Sequence, residues 1–287
     1  MTKNKSYTKD SVTSKDGTTI GYRRMGSGPG IILLHGGINA SQHLMKLGTL
    51  LSDEFTVYIP DRRGRGLSGP IGDNYNIERE DEDLNAIINE TGAHYVFGTA
   101  DGALFALHAA ISNPDIHKVA AYEPLFYLGQ PELDLLESTM HRFAQEVDQG
   151  KVADAMVTGI KGAQSPKSIY WLPRFLLTSF SKIALILDAR NVKGDDIPLR
   201  DLIPTMPSEI ELVRKTEGTI EDYKDVSAEV LLMMGSKSRD AFKDTLDALE
   251  KVLPHSNRIE LEGLDHGSAQ DYGKPEIIAQ ELKHFFL

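Results

Sequence analysis

Phe97-Gly98-Thr99-Ala100-Asp101-Gly102-Ala103 is the stretch that decides the fold. It joins a short apolar segment, Tyr95-Val96-Phe97, to an alanine-rich one, Ala103–Ile111, and so reads as the turn from a buried strand into a helix. Glycines two places either side of Ala100 permit a tight, strained bend that lifts residue 100 above the edge of a sheet. The helix that follows brings its first N–H groups, that of Asp101 among them, to the same spot, where its dipole favours negative charge.

Outward from this bend the alternation of strand and helix repeats. Upstream, Ile31-Ile32-Leu33-Leu34 is fully apolar and closed by glycines, as a strand buried on both faces of a parallel sheet requires. A helix over Ala40–Leu51, a strand over Thr56–Pro60 and an acidic amphipathic helix over Glu78–Thr91 follow. Ser11–Arg24 reads as an edge hairpin around Lys15-Asp16-Gly17. Downstream of Val119–Tyr122 the alternation breaks. Residues 124–228 are mostly helical, punctuated by Pro173, Pro198, Pro204 and Pro207. The alternation resumes with Glu229–Met234, a helix over Ala241–Val252, a strand over Arg258–Leu261 and a last helix from Pro275. The expected architecture is α/β: a doubly wound, mostly parallel sheet of about eight strands, its core (1–123 and 229–287) interrupted by a helical cap (124–228). In open sheets of this kind ligands bind at the C-terminal edge of the strands, under such a cap.

Composition narrows the function. The 287 residues carry a net charge of −11, which repels phosphate backbones and anionic headgroups, so neither nucleic acid nor membrane is an expected partner. No cysteine is present, which rules out thiol nucleophiles, disulfides and Cys-ligated metals. The polar start Met1-Thr2-Lys3-Asn4-Lys5-Ser6 has no apolar leader, and no apolar run approaches the roughly 18 residues of a membrane span. A soluble, cytoplasmic protein, monomeric or homodimeric, is the expectation.

Two further loops follow strands. His35-Gly36-Gly37 after the first apolar strand is either a plain glycine turn or a place where backbone N–H groups approach a substrate oxygen closely. Asp61-Arg62-Arg63-Gly64-Arg65-Gly66-Leu67-Ser68 reads as an internally hydrogen-bonded structural loop, its arginines beside Asp61. Near the C-terminus stands Leu264-Asp265-His266-Gly267. In their order and spacing these loops and the Gly98–Gly102 bend resemble those of an α/β-hydrolase, over nearly all of the chain except the cap. The resemblance implies that Gly37 and Asp101 supply the oxyanion-hole N–H groups and that His266 is the general base.

Ala100 departs from that family's pattern, which has serine there; a methyl group cannot attack a carbonyl. Two readings remain: a serine-to-alanine replacement that traps substrate, or a homologue that binds ligand without hydrolysing it. Consistency of the surrounding equipment favours the first. Asp101, one place past the apex, should point away and is not the expected nucleophile. For the acid, Glu123 ends the Val119–Tyr122 strand on the catalytic edge, where a salt bridge to Arg62 or Arg63 is its bland role. Asp240 opens a helix, where N-capping is the bland role. Glu123 is preferred.

His43 opens the helix after the glycine loop and, with Gly36, is expected to face the substrate. His108 reads as a helix-contact residue. No histidine–carboxylate spacing suggests a metal, and no cofactor is implied. Phe126, Tyr127, Phe143, Tyr170, Trp171, Phe175 and Phe180 are expected mostly to pack the cap's own core. The expected substrate is a small-molecule ester or lactone; the acidic balance suits an amine-bearing macrolide-type macrocycle.

Overall fold

The computed structural model describes residues 6–128, 131–163 and 171–287; Tyr170 and the first five residues, read above for a leader, lie outside them. Strands β1 (Thr8–Thr13) and β2 (Thr19–Gly26) form the antiparallel hairpin. They are joined by β3 (Gly30–Leu34), β4 (Thr56–Pro60), β5 (Tyr95–Thr99), β6 (Lys118–Tyr122), β7 (Glu229–Gly235) and β8 (Ser256–Leu261). The eight strands run in the order β1-β2-β4-β3-β5-β6-β7-β8, and every pair from β4–β3 onward is parallel.

The apolar run in β3 is explained by what covers each face. Ile32 and Leu34 pack with Leu84 and Ile87 of helix α2 (Ile77–Thr91) and with Leu104 and Leu107 of α3 (Asp101–Ser112). Ile31 and Leu33 face the other way, onto Leu47 and Leu51 of α1 (Met45–Leu51) and Ile278 and Leu282 near the C-terminus. Removing such side chains from water stabilises by about 1.5–3 kcal/mol each, which is why a strand this short can be held without polar residues. Helix α1 starts later than its sequence suggests, because Ser41–Leu44 form a preceding 3₁₀ turn.

Between β6 and β7 the chain carries α4 (Pro131–Asp148), α5 (Val152–Ala163), α6 (Arg174–Asn191), α7 (Leu199–Leu202) and α8 (Met206–Arg214). Phe143, Ala155, Leu185 and Ile203 form a small separate core there. Leu212, Tyr223 and Val226 instead belong to the cluster under the sheet, so the helical stretch rejoins the core before β7 begins. Helices α9 (Asp240–Val252) and α10 (Pro275–Phe286) complete the fold. No described helix is long and apolar enough to cross a membrane.

The cap aromatics correct the expectation drawn from their sequence. Phe126 and Phe143 are buried, but Trp171, Phe175 and Phe180 are 68%, 69% and 58% exposed. Helix α6 turns Leu177, Ser181 and Leu185 inward and leaves its larger apolar groups on the outside.

Candidate active site

Three backbone positions at the C-terminal edge of the sheet are held at positive φ without being glycine: Ile38 (φ 56°), Ala100 (φ 53°) and Glu123 (φ 50°). Such conformations cost about 1–3 kcal/mol each and persist only where the surroundings over-determine them. At Ala100 they do. Its N–H donates to the Tyr122 carbonyl at 3.0 Å, and its own carbonyl accepts from Leu125 N–H at 3.3 Å. A Cβ on Gly98 would stand 2.4 Å from the Gly102 carbonyl oxygen, and one on Gly102 would stand 2.6 Å from that of His35. The bend therefore needs both glycines, and α3 begins immediately after it at Asp101.

Glu123 and His266 meet. Glu123 Oε2 lies 2.7 Å from His266 Nδ1, while Oε1 accepts from Gly235 N–H at 2.9 Å and from the Ser238 hydroxyl. The carboxylate is fully buried, whereas the imidazole is 45% exposed. The ring stacks on Phe242 at 4.7 Å, and its loop is held by the Tyr122 hydroxyl, which donates to the Asp265 carbonyl at 2.6 Å. A carboxylate at Nδ1 fixes the tautomer that leaves Nε2 free to accept a proton.

Asp240 is exposed at the first turn of α9, after Arg239 as N-cap, and the Nδ1 of His266 is occupied by Glu123. Glu123 makes its bonds with His266, Gly235 and Ser238 rather than with Arg62 or Arg63.

His266, Ala100, Asp101, Gly37 and His43 share one cavity of about 530 Å³, in the range of sites for drug-sized ligands. Gly36 is not on its wall; it packs behind, where a Cβ would stand 3.0 Å from that of Ala100. Burial pushes the pKa of His43 down. Its Nδ1 lies 3.0 Å from the Ala40 N–H and 3.3 Å from the Ala40 carbonyl oxygen. His35 is buried and held neutral by desolvation and by the charges of Arg65 and Arg62. It braces the glycine loop, donating from Nδ1 to the Gly36 carbonyl at 3.0 Å and accepting Arg62 N–H on Nε2 at 3.2 Å.

The arginine loop is internal, as its sequence suggests, but its partners differ. Asp61 caps backbone instead, accepting Ser41 N–H at 2.7 Å and Leu67 N–H at 3.0 Å. Arg62 bonds Glu80, Tyr75, Asp101 at 2.8 Å and Glu209 at 3.0 Å; Arg65 bonds Glu209 and Thr205. This turns the Asp101 carboxylate onto Arg62, while its N–H stays at the head of α3. Glu209, on α8, lines the cavity, as do Met206, Asp188 of α6, Gln270 and Tyr272. None of these has a local signal in the sequence; Glu209 meets Arg62 across 147 positions.

A strained strand-to-helix bend opposite a carboxylate-held histidine, beneath helices inserted after β6, defines a hydrolase-type site in an α/β sheet. Residues 31–281 match the alpha/beta hydrolase family, and the chain belongs to it. It is 24% identical over 276 residues to the 2-(acetamidomethylene)succinate hydrolase of Mesorhizobium japonicum, covering 93% of this chain and 91% of that protein. An alpha/beta hydrolase from Sphaerobacter thermophilus superposes with a TM-score of 0.75 at 27% identity, covering 97% of this chain and all of that one. The esterase RhEst1 from a Rhodococcus species superposes with a TM-score of 0.65 at 18% identity, covering 96% and 98%.

Proposed function

We propose that this chain is the frame of a serine-type hydrolase of carboxylic esters or lactones, and that with Ala100 it binds its substrate without cleaving it. The observation that carries the reading is the 2.7 Å contact between Glu123 Oε2 and His266 Nδ1, with His266 and Ala100 on the wall of one cavity. Hydrolase relatives across the family support the class of reaction.

In the Ala100→Ser form the hydroxyl attacks the ester carbonyl as His266 Nε2 takes its proton. The developing oxyanion is met by the N–H groups of Gly37 and Asp101, the latter at the positive end of α3. Collapse expels the alcohol, which receives the proton from His266. Water then attacks the acyl-enzyme, again giving a proton to His266, and the acid and the serine hydroxyl are released. Glu123 steadies the imidazolium in both halves.

A macrolide-type lactone bearing an amine is the bulky substrate we favour, on the cavity's volume and on the Asp188 carboxylate in its wall. The methyl group at the apex supports one other reading, a ligand-binding protein without hydrolytic chemistry. Assay of a short-chain nitrophenyl ester and of a macrocyclic lactone separates the two. The Ala100→Ser form should turn over at least one of them about 10³-fold or more faster than the unaltered chain. No turnover by either protein overturns the hydrolase and leaves the binder.

A further inference from the structure

The outer face of α6 is unlike any other exposed surface described here. Over its 18 residues, about 27 Å of helix, Phe175, Phe180, Ile183, Ile186 and Leu187 are each more than half exposed, and Trp171 lies just before the first turn. At 100° per residue these side chains fall on one side, with Ser179 between them and the charged Lys182 at their margin. The hydroxyl of Ser179 is turned back onto the Phe175 carbonyl at 3.0 Å, so it presents no unmet donor outward. Six such groups expose on the order of 700 Å² of apolar surface, above the few hundred usual for a monomer's largest patch. It is close to the roughly 800 Å² that each partner contributes to a stable protein–protein interface.

We propose that this face is the contact between two copies of this chain, α6 packing antiparallel on its twin about a two-fold axis level with Ser181. The spacing is self-complementary. With that centre Ser179 stands opposite Ile183 of the second copy, Phe175 opposite Leu187, and Leu176 opposite Ile186. At the central pair a small residue, Ser179, faces a large one, Ile183, which lets the two helices approach there. The contact also has a consequence for the cavity. Asp188 of α6 lines it and accepts Leu199 N–H of α7 at 2.6 Å, so pairing stiffens the outer wall of the site.

Sedimentation velocity of the full chain from 1 to 100 µM tests this directly. The expected result is twice the mass of one chain, converted to a single-chain species by Ile183→Glu with an unchanged circular dichroism spectrum. Ile183 is 57% exposed, so the substitution does not disturb a core. A monomer throughout that range overturns the proposal, as does a dimer that Ile183→Glu leaves intact. In a second arm, Ser179→Cys combined with Ile183→Cys, in a chain that otherwise lacks cysteine, should give a covalent dimer on oxidation. A non-covalent dimer that does not cross-link overturns the antiparallel pairing. Co-flotation of the unaltered monomer with anionic vesicles would reassign the face to a membrane and also overturn it.

Discussion

Glu123 and Glu209 are buried carboxylates that serve one site, the first through His266 and the second from the cavity wall, and their surroundings assign them opposite work. Glu123 is born in the core, at the end of β6, and is held by an amide N–H, a hydroxyl and one imidazole. The imidazole among these partners faces the cavity. Glu209 comes from α8, in the helical insertion, and has one oxygen crowded by Arg62 and Arg65 while the other, Oε2, is buried with no partner. The first carboxylate can act through His266 on a substrate. The second fastens the insertion to the arginine loop and, through Arg62, to the Asp101 carboxylate at the bend. A carboxylate's part in chemistry is decided by what its partners leave it free to do.

The largest effect that can break this contrast is on turnover. In the Ala100→Ser form, Glu123→Gln keeps the shape of the side chain but removes the charge that orients and stabilises the imidazolium. A drop in kcat of about 10²–10⁴-fold is expected, with KM changed far less. Steady-state kinetics with the same nitrophenyl ester measures it. A fall of under threefold would sink the assignment of Glu123 to His266, whatever the distance between them.

The Glu209 side of the contrast is tested by stability. Burial, and then the charge of Asp101, push its pKa above the ordinary carboxylate range against the pull of Arg65 and Arg62. The folded state therefore holds this proton more tightly than the unfolded chain does. Stability from this group is fully present below the unfolded pKa and declines as pH rises from about 4.5 toward the folded value. Glu209→Gln removes the ionisation and keeps a side chain of the same shape, with one oxygen left for the arginines. The variant should be more stable than the parent at pH 8, with the gain shrinking toward pH 5. Urea unfolding at both pH values checks the sign. A less stable variant at pH 8 would mean that the charge, rather than the shape, holds the two arginines.

Which parts of this were legible in the sequence follows from how local their causes are. The runs in β3 and β5 and the glycines around Ala100 report strands and a bend because each is a property of a few neighbouring residues. Glu123 is expected from its place at the strand's end as the acid beside His266, but the distance between them is not legible, since the two are 143 positions apart and the parallel order of β6, β7 and β8 brings their loops together. The partners of Arg62 and Arg65 are not legible for the same reason. Asp61 is adjacent in sequence but is consumed by backbone N–H groups, whereas Glu80, Asp101 and Glu209 arrive from three separate helices. Which cap aromatics are buried is not legible either, because an apolar stripe does not say which side of its helix will be covered.

Asp240 gives the smallest effect and the sharpest discrimination. It stands where a carboxylate after β7 would reach a histidine in a related arrangement, so charge alone could be argued to assist His266 from there. The structure separates the two by occupancy: Nδ1 already has its partner, and Asp240 faces solvent at the head of α9. What remains for Asp240 is its interaction with the helix dipole, typically 0.3–1 kcal/mol at an exposed first turn. Asp240→Ala in the Ala100→Ser form should change kcat by less than about twofold and lower Tm slightly, because only the dipole contribution is lost. Its pH–rate profile should overlay that of the parent, since the group that orients the imidazole is untouched. Parallel rate and melting measurements on the two variants, Glu123→Gln and Asp240→Ala, then divide the possibilities cleanly. If the rate falls with Asp240→Ala instead, the acid is delivered from the loop after β7 and the close pair seen at Glu123 is a structural contact.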